Sequence, residues 1–89
     1  MGVYEIFWKR SAETDLRKLD KKQITRIIKA IESLSINPFP IQSIKLHHTE
    51  RIYRLRVGSY RVIYSIDTTT KIIVIYYVRH RKDVYRTIL

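Results

Sequence analysis

The 89-residue chain contains no cysteine. Disulfides, thiol nucleophiles and cysteine-ligated zinc are thereby excluded, and no cysteine framework points to secretion. Long hydrophobic runs are missing too. The longest wholly apolar stretch, Ile72 to Val78, falls far short of the about 20 residues that span a bilayer. No apolar signal core with a small-residue cleavage site stands at the N-terminus, so a cytoplasmic location is expected. There is no internal repeat, low-complexity stretch or linker, and residues 1–89 read as one domain. Acidic residues are scarce, eight against eighteen Lys and Arg, and the net charge is +10 at pH 7.

Enough apolar residues are present, 45% of the chain, for a folded globule to be expected rather than disorder. The charge is uneven. Residues 1–40 carry eight Lys/Arg against five acids, whereas residues 41–89 carry ten against three. The base changes as well, from five Lys and three Arg to three Lys and seven Arg. Guanidinium groups grip phosphate bidentately and stay charged when partly buried. The arginine-rich half therefore points to a polyanion partner, against the plainer reading of a basic solvated surface.

Periodicity predicts an α+β domain. Gly2 to Trp8 is short and β-prone and reads as a first strand. Ser11 is a candidate cap for a helix running to about Leu19, with Ala12, Leu16 and Leu19 on one stripe. Asp20 with Gln23 forms the sequence signature of a capping box. Ile24, Ile27, Ile28, Ile31 and Leu34 then follow helical spacing until Asn37, Pro38 and Pro40 stop it. Lys9, Arg17, Lys18, Lys21, Lys22 and Lys29 fall on the outer faces of this helical hairpin. From Arg51 the period becomes two. Gly58-Ser59 is a two-residue turn signal with Gly at the first central position of a type II′ turn. Asp67 to Thr70 turns the chain again before a third strand, Lys71 to Val78. The tail from Arg79 to Leu89 is open to either a short helix or an extended end. The predicted order is β-α-α-β-β-β, a helical hairpin packed on an antiparallel sheet.

Register turns this pattern into a candidate site. With Gly58-Ser59 as the turn, Arg56 faces Arg61 and Tyr53 faces Tyr64. Tyr53, Leu55, Val57, Tyr60, Val62 and Tyr64 then share the helix side, and Arg54, Arg56 and Arg61 the other. Pairing Ile66 with Lys71 would bring Tyr76 beside Arg61 and leave Arg79 just beyond the strand. Like charges directly opposite one another destabilise a sheet, so Arg56 across from Arg61 is a local conflict that a bound phosphate would resolve. Splayed arginines on a solvated face are the alternative.

These residues carry a family likeness. The stretch YRLRVGSYRVIY at 53–64, then a strand, then RHRKDVY at 79–85, resembles the C-terminal half of RelE-type toxins. The strand-helix-helix start and the length agree with that family. The resemblance implies a RelE-like fold and a toxin of a type II toxin–antitoxin system, a ribosome-dependent endoribonuclease that cleaves mRNA in the A site. It implies catalytic roles for Arg54 and Arg56, where some relatives carry lysines, and for Arg61, Arg79 and Tyr85. Arg81 takes the place of Arg79 if the loop is shorter, and His80 is a further candidate because related ribonuclease toxins use a C-terminal histidine. Lys45, Arg51, Lys82 and Arg86 are expected to bind RNA. The implied reaction needs no metal or cofactor. The implied partners are a cognate RelB-like acidic antitoxin that wraps the domain and a ribosome with its mRNA and rRNA, with no membrane involved.

Other residues receive plainer readings. His47 and His48 are adjacent, hence poor co-ligands for one metal, and read as loop residues. Glu50 reads as an ion-pair partner for Arg51, and Trp8 as core. The rival functions are a ParE-like toxin acting on gyrase, a non-catalytic RNA-binding module, and a degenerate member that retains only antitoxin binding. The RNA-binding module would need stacking aromatics along the basic face, where the pattern offers only Tyr76 and Tyr85.

Overall fold

A computed structural model describes residues 3–46 and 51–88, with backbone alone at 85–88. The elements run β1 (Glu5–Trp8), α1 (Arg10–Arg17), α2 (Lys21–Ser33), β2 (Ser43–Lys45), β3 (Ile52–Val57), β4 (Tyr60–Asp67), β5 (Ile72–His80) and α3 (Arg81–Ile88). The strands form one sheet in the order β1-β5-β4-β3-β2. No helix among the described residues is long and apolar enough to cross a membrane.

The α+β architecture and the helical hairpin are as the periodicity predicts, with two corrections. The sheet is mixed, because β1 pairs with β5 in parallel while every other pairing is antiparallel. After β1 the chain crosses both helices and three strands before it returns, and nothing within one short strand encodes so distant a partner. A further strand, β2, lies on the outer edge of β3; at three residues it is too short to show a period. The tail, which in sequence is open to either form, is a helix from Arg81.

The helix starts also differ in detail. Lys9, not Ser11, is the N-cap of α1, and no side chain caps that end. Ser11 Oγ instead donates to the carbonyl of Tyr76 at 2.5 Å. The helix stops at Arg17, where the N–H groups of Lys18 and Leu19 tighten onto Asp15 and Leu16. Asp20 does cap α2, accepting from the N–H of Gln23 at 3.0 Å. The reciprocal half of the box is absent, since Gln23 Oε1 is buried without a partner.

Ala12, Ile27, Ile31 and Leu34 from the helices meet Leu55, Val62, Tyr64, Ile73 and Ile75 from the sheet. Trp8, Tyr53 and Tyr60 are partly buried against this core, and the expected side assignment holds for every residue of the β3–β4 hairpin. Gly58, at φ 60°, opens the hairpin turn in the conformation that type II′ demands. Ile63 and Val84 are buried outside this core. Ile63 pairs with Arg54 and Tyr77 on the opposite face, and α3 contacts β4 and β5, so α3 covers that face at Ile63.

Tyr64 ties the segment after α2 to the core. It is fully buried, and its hydroxyl donates to the carbonyl of Pro38 at 3.1 Å. Burial pushes its pKa from 10.0 up to about 12. Because the folded value lies above the unfolded one, the stabilisation is intact below pH 10 and is lost as pH rises toward 12. Tyr64→Phe should cost about 1 kcal/mol at neutral pH and flatten the decline of stability over that alkaline window. Urea titrations at a series of pH values check this; an unchanged alkaline slope would show that Tyr64 does not govern it.

Candidate active site

The second hairpin does not follow the register that the sequence suggested. Asp67 pairs with Ile72, leaving a four-residue loop, and Asp67 Oδ1 accepts from the N–H groups of Thr69 and Thr70 at 2.9 and 3.1 Å. Those two bonds, aided by Arg51, hold the Asp67 carboxyl below its ordinary pKa. Lys71 closes the loop at φ 61°. A register shift follows at Ile63/Tyr64, where Ile75 pairs with Tyr64 but Tyr77 pairs with Ile63. Tyr76 is therefore the extra residue of a β-bulge and does not stand beside Arg61.

The bulge reverses the alternation of β5. Ile73 and Ile75 face the core before it, and Val78 after it. Arg79 consequently lies inside the strand and pairs with Arg61, which pairs in turn with Arg56. Three arginines from β3, β4 and β5 form one row across the sheet at strand spacings of about 4.8 Å. Arg54 stands on the same face, opposite Ile63.

Each arginine is held differently. The Nη1 of Arg61 donates to the carbonyls of Gly58 and Tyr60 at 3.1 and 2.9 Å, which turns the side chain toward the hairpin end. The Nε of Arg79 donates to Asp15 Oδ2 at 2.8 Å, and its guanidinium carbon lies 4.6 Å from the centre of the Tyr77 ring. Asp15 Oδ2 also accepts from the N–H of Val78 at 3.0 Å, so one α1 carboxylate secures both the edge of β5 and the end of the row. Among the described residues, Arg54 and Arg56 have no carboxylate within ion-pair distance. Arg54, Arg56 and Arg61 line a cleft of about 250 Å³ with Ile41, Gln42, Ser43 and Ile44. Arg79 and His80 line a separate, larger cleft of about 710 Å³ with Asp15, Tyr60, Tyr77 and Asp83. The larger cleft marks one end of the row rather than its centre, where the charge is concentrated.

The remaining candidates are dispersed. His80 pairs with Tyr60, packs edge-on against its ring at 5.5 Å and accepts from the N–H of Lys82 at Nδ1. Arg81 and Lys82 are exposed at the start of α3, where the N–H of Arg81 binds the carbonyl of Ser59. Lys45 pairs with Tyr53 and so lies on the helix side, away from the row. Arg51 pairs with Asp67 at 3.6 Å at the far end of the hairpin. Tyr85 and Arg86 belong to α3, but their side chains lie outside the described residues, as do His47, His48 and Glu50. Sequence reasoning missed Asp15 and the apolar walls Ile41 and Ile44, which are 94% and 53% exposed. An acid on a helix facing an unpaired strand edge leaves no local sequence signal.

A family model for the ParE toxin of the type II toxin–antitoxin system parDE matches residues 6–85. Toxin RelG of Mycobacterium tuberculosis is 30% identical over 84 residues, which cover 93% of this chain and 97% of that protein. The RelE–RelB complex of Pyrococcus horikoshii contains a chain with a TM-score of 0.80 and 31% identity, covering 91% of this chain and 97% of that one. In the RelBE2 toxin–antitoxin complex of Mycobacterium tuberculosis the values are 0.77, 28%, 89% and 99%. Fold and sequence together define a toxin of a type II toxin–antitoxin system. Within that class the chain belongs to the RelE/ParE superfamily, as a member of the RelE family.

Asp15→Ala should leave the N–H of Val78 and the Nε of Arg79 without their partner and destabilise the fold by about 2 kcal/mol. Asp15→Asn keeps an oxygen for Val78 and should recover about half of that loss. Chemical denaturation of the three proteins checks this. Equal stability of Asp15→Ala and wild type would mean that the edge of β5 does not depend on the carboxylate.

Proposed function

We infer that this toxin is a ribosome-dependent endoribonuclease acting in the cytoplasm as a single domain, and that the row Arg56–Arg61–Arg79 is its phosphate site. The observation that carries this reading is the row itself. Three guanidinium groups on adjacent, mutually hydrogen-bonded strands face one way, in a place where like charges would otherwise be avoided. In the proposed reaction the ribose 2′-oxygen attacks the adjacent phosphorus and the bond from phosphorus to the 5′-oxygen breaks. The 2′-hydroxyl proton leaves and the departing 5′-oxygen gains one, which yields a 2′,3′-cyclic phosphate and a 5′-hydroxyl. Arg61 and Arg79 stabilise the charge that builds on the phosphoryl oxygens. Arg54 and Arg56 hold the phosphate, and Tyr85 stacks on a base.

Arginine stays protonated at neutral pH and so has no lone pair free to accept a proton. The proposed chemistry therefore depends on positioning, which assigns to the ribosome the task of presenting the message strand. A ParE-like action on gyrase would give the row no substrate. Arg61→Ala should retain the fold and lose at least about 100-fold in cleavage of programmed ribosomes, read by toe-printing in a translation reaction. Tyr85→Phe should retain more activity than Tyr85→Ala. Wild-type cleavage by folded Arg61→Ala would sink the assignment of the row, and gyrase inhibition without cleavage would favour the rival.

The same charge supports an acidic RelB-like antitoxin as partner. Long-range attraction to a chain of +10 speeds the encounter with an anionic segment. Stopped-flow association rates with the cognate antitoxin should fall steeply as salt rises. A rate that stays flat would assign the charge to RNA alone.

A further inference from the structure

The β3–β4 turn carries a second guanidinium that the row does not include. An ideal Cβ on Gly58 would stand 2.9 Å from Nη2, 3.1 Å from Nη1 and 3.2 Å from Cζ of Arg26. The end of the Arg26 guanidinium therefore lies against the turn where a side chain at 58 would stand. Gly58 thus has two tasks, the positive φ and the room for Arg26. Arg26, exposed on its helix, thus reaches across to the turn. Among the described residues no carboxylate stands within ion-pair distance of Arg26.

Arg26 and Arg56 line a cleft of about 420 Å³ between α2 and β3, together with Gln42, Ser33 and Gly58. Arg56 and Gln42 also line the cleft that holds Arg54 and Arg61. The two clefts share a wall. The pairing of β2 with β3 ends at Leu55, so the edge of β3 is open beside Arg56 apart from one bond from its N–H to the carbonyl of Gln42. A cationic track therefore runs from the row, past Arg56, around the sheet edge to Arg26.

We propose that Arg26 and Arg56 form a second phosphate subsite, which binds the backbone of single-stranded RNA flanking the nucleotide held at the arginine row. This extends the ribonuclease reading and rests on it for the identity of the row. Extended RNA presents one phosphate per nucleotide, and an unpaired guanidinium on the path of the strand adds affinity without reading a base. Arg26 is a binding residue here and takes no part in bond breaking.

The test uses a short fluorescent oligouridylate and the free toxin, followed by anisotropy across a salt series. Arg26→Ala should weaken binding about tenfold and lower the salt slope by about 0.7, the value for one phosphate contact on a single strand. Lys29→Ala removes the same charge from the exposed face of the same helix and should have a much smaller effect. Arg26→Lys keeps the charge but not the planar group, and should recover only part of the loss. Gly58→Ala, if folded by circular dichroism, should displace Arg26 and weaken binding although no charge is lost. A loss no larger than that of Lys29→Ala, full recovery with Arg26→Lys, or salt-insensitive binding by wild type would overturn the proposal. So would an equal loss for oligoglutamate, which would assign the track to an acidic peptide. Retention of cleavage by Arg61→Ala would remove the row from the reaction but leave this binding measurement decisive on its own.

Discussion

One extra residue in β5 governs the geometry of the candidate site. Up to Tyr76 the odd-numbered side chains Ile73 and Ile75 enter the core; beyond it Val78 does. Continued alternation without the bulge would have aimed Arg79 into the apolar layer formed by Leu55, Val62 and Tyr64, at a cost of several kcal/mol. The bulge instead delivers Arg79 to the row. It comes just where β5 loses its neighbour, since β1 ends at Trp8 opposite Ile75. The strand edge beyond that point would be left bare, and α1 takes over. Ser11 donates to the carbonyl of Tyr76, and Asp15, four residues on and hence on the same helical face, accepts from the N–H of Val78. Bulge, helix and ion pair are one unit, and changing any of them changes where Arg79 stands.

Three cations in a row demand compensation. Two guanidinium groups about 5 Å apart at an effective dielectric constant near 20 would repel by about 3 kcal/mol. The structure spreads them. Asp15 draws Arg79 toward one end, the carbonyls of Gly58 and Tyr60 draw Arg61 toward the hairpin turn, and Arg56 stays exposed to water. Asp67 is committed to Arg51 at the far end of the hairpin. The result is a field of one sign on a rigid support, with at least two of its cations already oriented before any anion arrives.

Much of this was legible in the sequence. Gly58-Ser59 fixed the β3–β4 register, and the alternation in 53–64 separated core tyrosines from outward arginines without error. The capping oxygen of Asp20 and the proline stop after α2 rested on equally local chemistry. Where the reading failed, the deciding partner was distant. Ser11 looks like a cap until Tyr76, 65 residues away, is seen to claim its hydroxyl. The bulge has no glycine to announce it, because the phase of β5 is set by burying Ile73, Ile75 and Val78 against residues of other strands. The parallel partner of β1 and the role of Asp15 are non-local for the same reason.

The stability of the elements around the row is graded, and the grading follows from packing. The row stands on β3, β4 and β5, whose inner faces supply most of the core. α3 lies on the other face, and the buried side chains described there are Ile63 and Val84. Two aliphatic side chains contribute roughly 3–6 kcal/mol of burial before the entropy of ordering eight residues is subtracted. At its N-terminal end the N–H of Arg81 binds the carbonyl of Ser59 and the N–H of Lys82 binds His80 Nδ1. Among the described residues, α3 is thus anchored by fewer buried side chains than the strands beneath it. Any partner that places its own apolar side chain on Ile63 competes with α3 directly, whereas displacing Arg61 or Arg79 would require opening the sheet.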